Sequence, residues 1–292
     1  MDYETIFDPE TGQKLTLEKA ESYFTAEELE LKEKKIGVEE PIDESLTYSI
    51  EGLPLSDQRR VWLDEAFSFL LNEFGKDKVV AKKVMLPTHE CFPYKITQVH
   101  KYSDRVAKLM GIEPVDIILE FYGSVGKKID VSETAFSATS SESTNEPAGL
   151  YFGKDENGKY HVSISSGSCS SAEKLIPTLA HEFGHIKLLG DDKLKIDNED
   201  LTDMVPLFFG LGVFSANSTF NFVTGKGGWA YSTLGYLSQM DWGYLLALYA
   251  FVRDEHETQT PWFEFLNINT KKDFKLSLAF IQDHKENIFP LA

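Results

Sequence analysis

The stretch TLAHEFGHIKLLG, residues 178–190, contains His181-Glu182-Phe183-Gly184-His185, a HExxH pattern. On a helix, positions i and i+4 lie one turn apart on the same face, so the imidazoles of His181 and His185 can be presented to one ion. Glu182 follows the first of them, where its carboxylate reaches a water on the ion rather than the ion itself. Zn²⁺ lowers the pKa of such a water toward neutrality, and the glutamate takes its proton as the water attacks a carbonyl. In a chain with seven histidines, a chance HExxH should appear on the order of once per hundred such sequences.

The flanking sequence supports a strand–helix setting. Upstream, Gly149–Phe152 and Lys159–Ser165 flank the turn signal Asp155-Glu156-Asn157-Gly158 and read as a β-hairpin. SSGSCSS (165–171) then leads into the HExxH helix. Ser170 with Glu173 suggests a capping box, but Pro177 then falls inside the helix, so the helix either kinks there or becomes regular only from Pro177. Gly190 supplies the stop. Further helices are expected over 57–75, 98–110, from about Glu199 to Leu211, and from about Leu234 to Arg253. Strands are expected over Val79–Leu86 and Asp116–Gly123. In the first helix the apolar face is expected to hold Val61, Ala66, Phe69, Leu70 and Phe74. Residues 132–148, rich in Ser, Thr and Glu, read as a loop. Residues 1–56 are charge-rich and weakly periodic, with a capping box at Thr25-Ala26-Glu27-Glu28. They form an acidic appendage to a domain spanning 57–292.

Two histidines are one protein ligand short of a catalytic zinc site, which has three plus water. Three carboxylates compete for that place. Asp191 stands where the last ligand of HExxHxxGxxH falls, but position 188, where that spacing needs glycine, is Leu188. Glu199 and Asp203 are spaced i, i+4 on the next predicted helix, and both face the ion if that helix packs against the first. An acid in a first helical turn is favoured by the helix dipole alone, which accounts for Glu199 without a metal. Asp203 lies deeper, beside an apolar run.

HEFGH followed by Glu199-Asp200-Leu201-Thr202-Asp203 resembles the zincin metallopeptidases of the gluzincin type. It is similar to the ExxAD signature of prenyl-protein and stress-related membrane peptidases, with Thr202 in place of alanine. LTDMVPLFFGLGVFSAN (201–217) resembles a group of bacterial proteins with a soluble HExxH domain. The resemblance covers roughly residues 149–255. It implies an α+β, zincin-like fold in which a small, mostly antiparallel sheet flanks the HExxH helix and a second ligand-bearing helix. It makes His181, His185 and Glu199 the ligands of Zn²⁺ and Glu182 the general base. Asp203 would then hold a ligand histidine in its tautomer. In zincins the strand before the metal helix pairs with extended substrate, which points to Tyr160–Ser165. His₂Glu suits zinc best, although cobalt or nickel fits similar ligands.

Other polar residues carry less. Tyr236 is a candidate to hydrogen-bond the oxyanion of a tetrahedral intermediate. His161, in a strand, and His89, before a turn, read as structural. Gly225-Lys226-Gly227-Gly228 lacks the spacing and the Ser/Thr of a phosphate loop. The net charge of -18 argues against nucleic acid and anionic membranes as partners. The longest apolar runs, Met204–Phe214 and Trp242–Val252, are eleven residues each, against about 20 for a membrane span. Two cysteines, Cys91 and Cys169, form no CxxC pair, and MDYETIFDPETGQKL has no apolar export signal. A cytoplasmic protein is expected.

The leading expectation is therefore a zinc metallopeptidase acting on a peptide or protein. The alternatives are zinc-dependent hydrolysis of an amide in a small molecule, and a non-catalytic zincin-shaped binding or regulatory protein. Glu182 weighs against the last, because a purely structural zinc site has no use for a base there.

Overall fold

The computed structural model describes residues 53, 55–88, 95–122, 147–195, 197–219, 221–225, 228–232, 235–255 and 260–288. The expected helix cap at Thr25–Glu28, the loop at 132–146 and the positions of His89 and Cys91 lie outside them. The described part is α+β, with eight α-helices and a three-stranded mixed sheet beside a two-stranded hairpin. The helices are α1 (Asp57–Phe74), α2 (Lys76–Val80), α3 (Val99–Leu109), α4 (Ala172–His185), α5 (Glu199–Phe208), α6 (Gly212–Ser218), α7 (Gln239–Val252) and α8 (Ile268–Ile288). None of them is long and apolar enough to cross a membrane.

The sheet holds β1 (Ile117–Tyr122), β2 (Gly149–Lys154) and β3 (Tyr160–Ser165) in the order β1-β3-β2. The hairpin is β4 (Asn221–Gly225) with β5 (Gly228–Ser232). The β2–β3 turn follows its sequence: Asp155 Oδ1 accepts from the amides of Asn157 and Lys159, each at 2.8 Å, and Gly158 takes φ 78°.

Two expectations about the sheet are corrected. It is not mostly antiparallel: β2 runs antiparallel to β3, but β1 pairs with β3 in parallel, with Ile117 opposite Tyr160 and Tyr122 opposite Ser165. Residues 123–148 separate β1 from β2, enough chain to let β1 join from the far side of β3. Consequently β3 is the central strand, paired on both sides, and cannot offer an edge to a substrate. The edge on the hairpin side is β2.

The strand expected over Val79–Leu86 is also not formed. Val79 and Val80 close α2, and in the following extended stretch the Met85 amide donates to the Gly210 carbonyl at 2.7 Å without forming a strand. A short β-branched run cannot be told from a helix end by periodicity alone.

On α1 the buried set is Leu63, Ala66, Phe67, Leu70 and Leu71, whereas Val61 is 41% exposed. Phe208 of α5 meets both Phe67, at 4.9 Å between centroids, and Phe74, at 5.9 Å, while Phe69 and Phe74 are partly buried.

The α1 helix also buries Asp64, which accepts from the Tyr244 hydroxyl at 2.7 Å and from Arg60 at 2.6 Å. Burial outweighs both donors and pushes its carboxyl up to about 6 from 3.8. The folded state therefore binds this proton more tightly than the unfolded chain. Asp64 supports stability fully below about pH 4 and loses that support as pH rises through about 6. Urea unfolding of the parent and of Asp64→Asn at pH 4, 5, 6 and 7 should show the parent losing stability relative to the variant. The loss should be on the order of 2–3 kcal/mol over that interval. A difference independent of pH would refute this.

The helix α4 sits in the middle of the fold. It packs on α3, α5 and α6 and carries β2 and β3 on its other side. Leu175, Ile176, Leu179, Ala180 and Phe183 are fully buried. It begins at Ala172 after Ser171, one residue later than the proposed Ser170 cap, with no side-chain cap bond, and it runs through Pro177. One π-type turn, Ile186–Gly190, follows His185, and the Asp191 amide donates to the Ile186 carbonyl at 2.9 Å. Such turns recur at functional sites because they re-aim the helix end.

Candidate metal centre

The helices α4 and α5 meet at Gly184, inside HEFGH. A Cβ there would lie 3.0 Å from both the Cγ2 and the carbonyl oxygen of Thr202. The small residue lets α5 approach α4 closely, and the approach brings Glu199 and Asp203 to the histidines. Asn198 caps α5 by accepting the Leu201 amide at 2.9 Å.

Three ligand-type atoms converge. His181 Nε2 and His185 Nε2 are 3.2 Å apart, and Glu199 Oε2 stands 3.1 Å from the first and 3.5 Å from the second. In tetrahedral zinc with bonds of 2.0–2.1 Å, neighbouring ligand atoms are about 3.3 Å apart. The spacing observed is that of one face of such a tetrahedron.

The opposite nitrogens are each held by a carboxylate. His181 Nδ1 is 2.6 Å from Asp203 Oδ1, and His185 Nδ1 is 3.1 Å from Asp197 Oδ1. Burial opposes ionisation of Asp203, but His181 and the amides of Tyr236 and Leu237 take its pKa below that of an ordinary aspartate. Burial likewise opposes, and His185 and His181 overcome, so that Asp197 is also lowered. An ionised carboxylate only accepts, so each Nδ1 carries a proton, which leaves Nε2 of each ring as the atom that can bind a metal.

The two Nε2 atoms and a carboxylate oxygen then face one another. Glu199 Oε2 is buried and makes no hydrogen bond of acceptable geometry, and a cation set between the three atoms would satisfy it. The same field acts on protons: burial alone would depress the His181 pKa, yet Asp203, Glu199 and Glu182 raise it well above that of an ordinary imidazole. His181, His185 and Glu199 therefore fit a divalent metal by donor type, spacing and unmet valence.

Glu182 lies beside this group and is only 4% exposed. Burial raises its pKa against the two histidines, with Glu199 and Asp197 adding to the rise. The strand β2 presses on it: a Cβ at Gly149 would fall 2.5 Å from Glu182 Oε1. A glycine at the start of β2 thus leaves room for the carboxylate under the sheet edge.

Tyr236 is placed next to the group, its ring 6.0 Å from that of His181 at 21°. It is 60% exposed. Burial of part of the ring and the carboxylates of Glu199, Asp203, Glu182 and Asp197 all raise its hydroxyl pKa, so it stays a donor.

Asp191 is not brought to the site; it pairs with Lys187. His161 pairs with Asp155 at 3.2 Å.

Two contributors escape the sequence reading. Asp197 falls in a charged stretch that resembles any polar connector, and its only signal is its position two residues before Glu199, just ahead of the α5 cap. Tyr151 of β2 stacks on His185, 6.0 Å between centroids and 2° between planes. Nothing in the alternation of a hairpin strand marks such a contact.

Comparison of the chain with protein-family models, with curated proteins and with solved structures gave no match.

Proposed function

We propose that this protein is a zinc-dependent metallopeptidase with a zincin-like site of the gluzincin type. The observation that carries the reading is the convergence of His181 Nε2, His185 Nε2 and Glu199 Oε2 at tetrahedral spacing, with Glu182 buried alongside. His181, His185 and Glu199 would hold zinc, which when bound supplies a Lewis acid that acidifies water and polarises a carbonyl.

The chain's own groups account for the remaining steps. Glu182 takes a proton from the attacking water and returns it to the departing nitrogen, a role its raised pKa favours. Tyr236 donates its hydroxyl hydrogen to the oxygen that gains charge. Asp203 and Asp197 keep both imidazoles oriented. An extended peptide adding to the outer edge of β2 runs past Gly149 and hence past Glu182, which favours a peptide over a compact amide.

The test is metal content of protein purified without chelator, followed by cleavage of a peptide library with and without chelator. About one zinc per chain and chelator-sensitive cleavage are expected. Full cleavage after complete metal removal would overturn the reading.

A further inference from the structure

Arg59 lies on α1, outside the ligand set, yet it touches both the helix start that carries Glu199 and the helix cap that follows Tyr236. Its Nε and Nη2 donate to Asp241 Oδ1 and Oδ2 at 3.0 and 3.1 Å, and its Nη1 donates to Asp200 Oδ2 at 2.8 Å. The guanidinium also lies over the Trp62 ring, 4.6 Å from its centroid. Asp200 is the residue after Glu199 in the first turn of α5.

Asp241 closes the capping box of α7. It accepts the Ser238 amide at 2.8 Å, while its own amide donates to Ser238 Oγ at 3.1 Å. The two residues just before Ser238 are Tyr236 and Leu237, whose amides donate to Asp203 Oδ2. One planar fork thus spans the start of α5, which carries Glu199, and the turn that holds Asp203 and presents Tyr236.

We infer that Arg59 is a positioning residue for the metal centre, fixing the Glu199 turn against the Tyr236–Ser238 turn. Asp241 is only 4% exposed, so its charge needs the partner. Only a guanidinium can bind one carboxylate through two nitrogens and give a third donor to another. Arg60, one residue on, donates instead to Asp57 and Asp64, well away from the caps of α5 and α7, which makes it the control.

The inference rests on the metal reading for one readout and stands apart from it in a second. Zinc is titrated into metal-stripped parent, Arg59→Met, Arg59→Lys, Asp200→Asn and Arg60→Met, and each melting temperature is recorded. Arg59→Met and Asp200→Asn should bind zinc about 10-fold more weakly, with Arg59→Lys between them and the parent. Arg60→Met should stay within about twofold of the parent even where it melts as early as Arg59→Met. In the metal-free proteins, hydrogen exchange of the amides of 199–203 and 236–237 should quicken in Arg59→Met and not in Arg60→Met. Should Arg59→Met fail to fold, Asp200→Asn, which leaves the Asp241 pair intact, carries both measurements. Equal zinc affinity and equal exchange in the Arg59 or Asp200 variants and in Arg60→Met overturn the inference. A parent that takes no zinc defeats the metal reading instead, and the exchange comparison then decides the role of Arg59 alone.

Discussion

Replacing Glu182 by glutamine is expected to leave zinc affinity within a few-fold of the parent and to cut peptide turnover by roughly 10²–10⁴-fold, the usual contribution of a positioned general base. The amide has the same shape and fits under Gly149 as the carboxylate does, but it has no basic oxygen to take a proton. Glu182 is also a buried acid among carboxylates, so the neutral amide relieves a desolvation cost and should not lower the melting temperature. That combination separates loss of chemistry from loss of structure. Zinc content, melting temperature and initial rates on one preparation check it, and turnover equal to the parent's would remove Glu182 from the mechanism.

The legible part of the site was what a single helix can encode. His181, Glu182 and His185 need only a 3.6-residue period to share a face, and that period is local. The i, i+4 pair Glu199 and Asp203 was legible as a pair for the same reason. Its placement against α4 depends on Gly184 meeting Thr202, a contact between residues far apart in sequence. Asp197, Tyr151 and Arg59 depend wholly on such contacts. Each is an ordinary polar or aromatic residue in its own segment and acquires meaning only from what the fold sets opposite it.

The same division holds for the fold. The β2–β3 hairpin was readable because Asp155, Asn157 and Gly158 dictate a turn by their own backbone chemistry. The place of β1 was not. Parallel pairing to β3 is allowed by the long connection of residues 123–148, and the residues of β1 carry no mark of orientation. The zincin resemblance points to β3 as the substrate edge because β3 is the strand that precedes the metal helix. The observed order puts β3 in the middle and leaves β2 at an edge, where Gly149 and Tyr151 lie against Glu182 and His185. On α1, Ala66 and Leu70 of the expected face are buried and Phe74 meets Phe208 of α5, but the same ring also takes Phe67, while Val61 stays exposed.

Glu199→Ala is expected to purify largely metal-free, while Asp203→Asn keeps zinc with affinity or turnover lowered about 10–100-fold. The two carboxylates stand on opposite sides of the same ring. Glu199 Oε2 faces the Nε2 atoms of both histidines, whereas Asp203 Oδ1 faces His181 Nδ1 and its Oδ2 takes the amides of Tyr236 and Leu237. Removing Glu199 deletes one of three donors and leaves two histidines and water, too few to retain the metal through purification. Removing the charge of Asp203 leaves all three donors in place but weakens the hold on the His181 tautomer. Asparagine is the informative change there. Alanine would strand two amides that the buried carboxylate now satisfies, at a cost of about 1–3 kcal/mol each, and would shift Tyr236 as well. Zinc titration of both metal-stripped variants against the parent checks the order. If Asp203→Asn loses the metal and Glu199→Ala retains it, the third ligand is Asp203, and His181 must turn its other nitrogen to the ion.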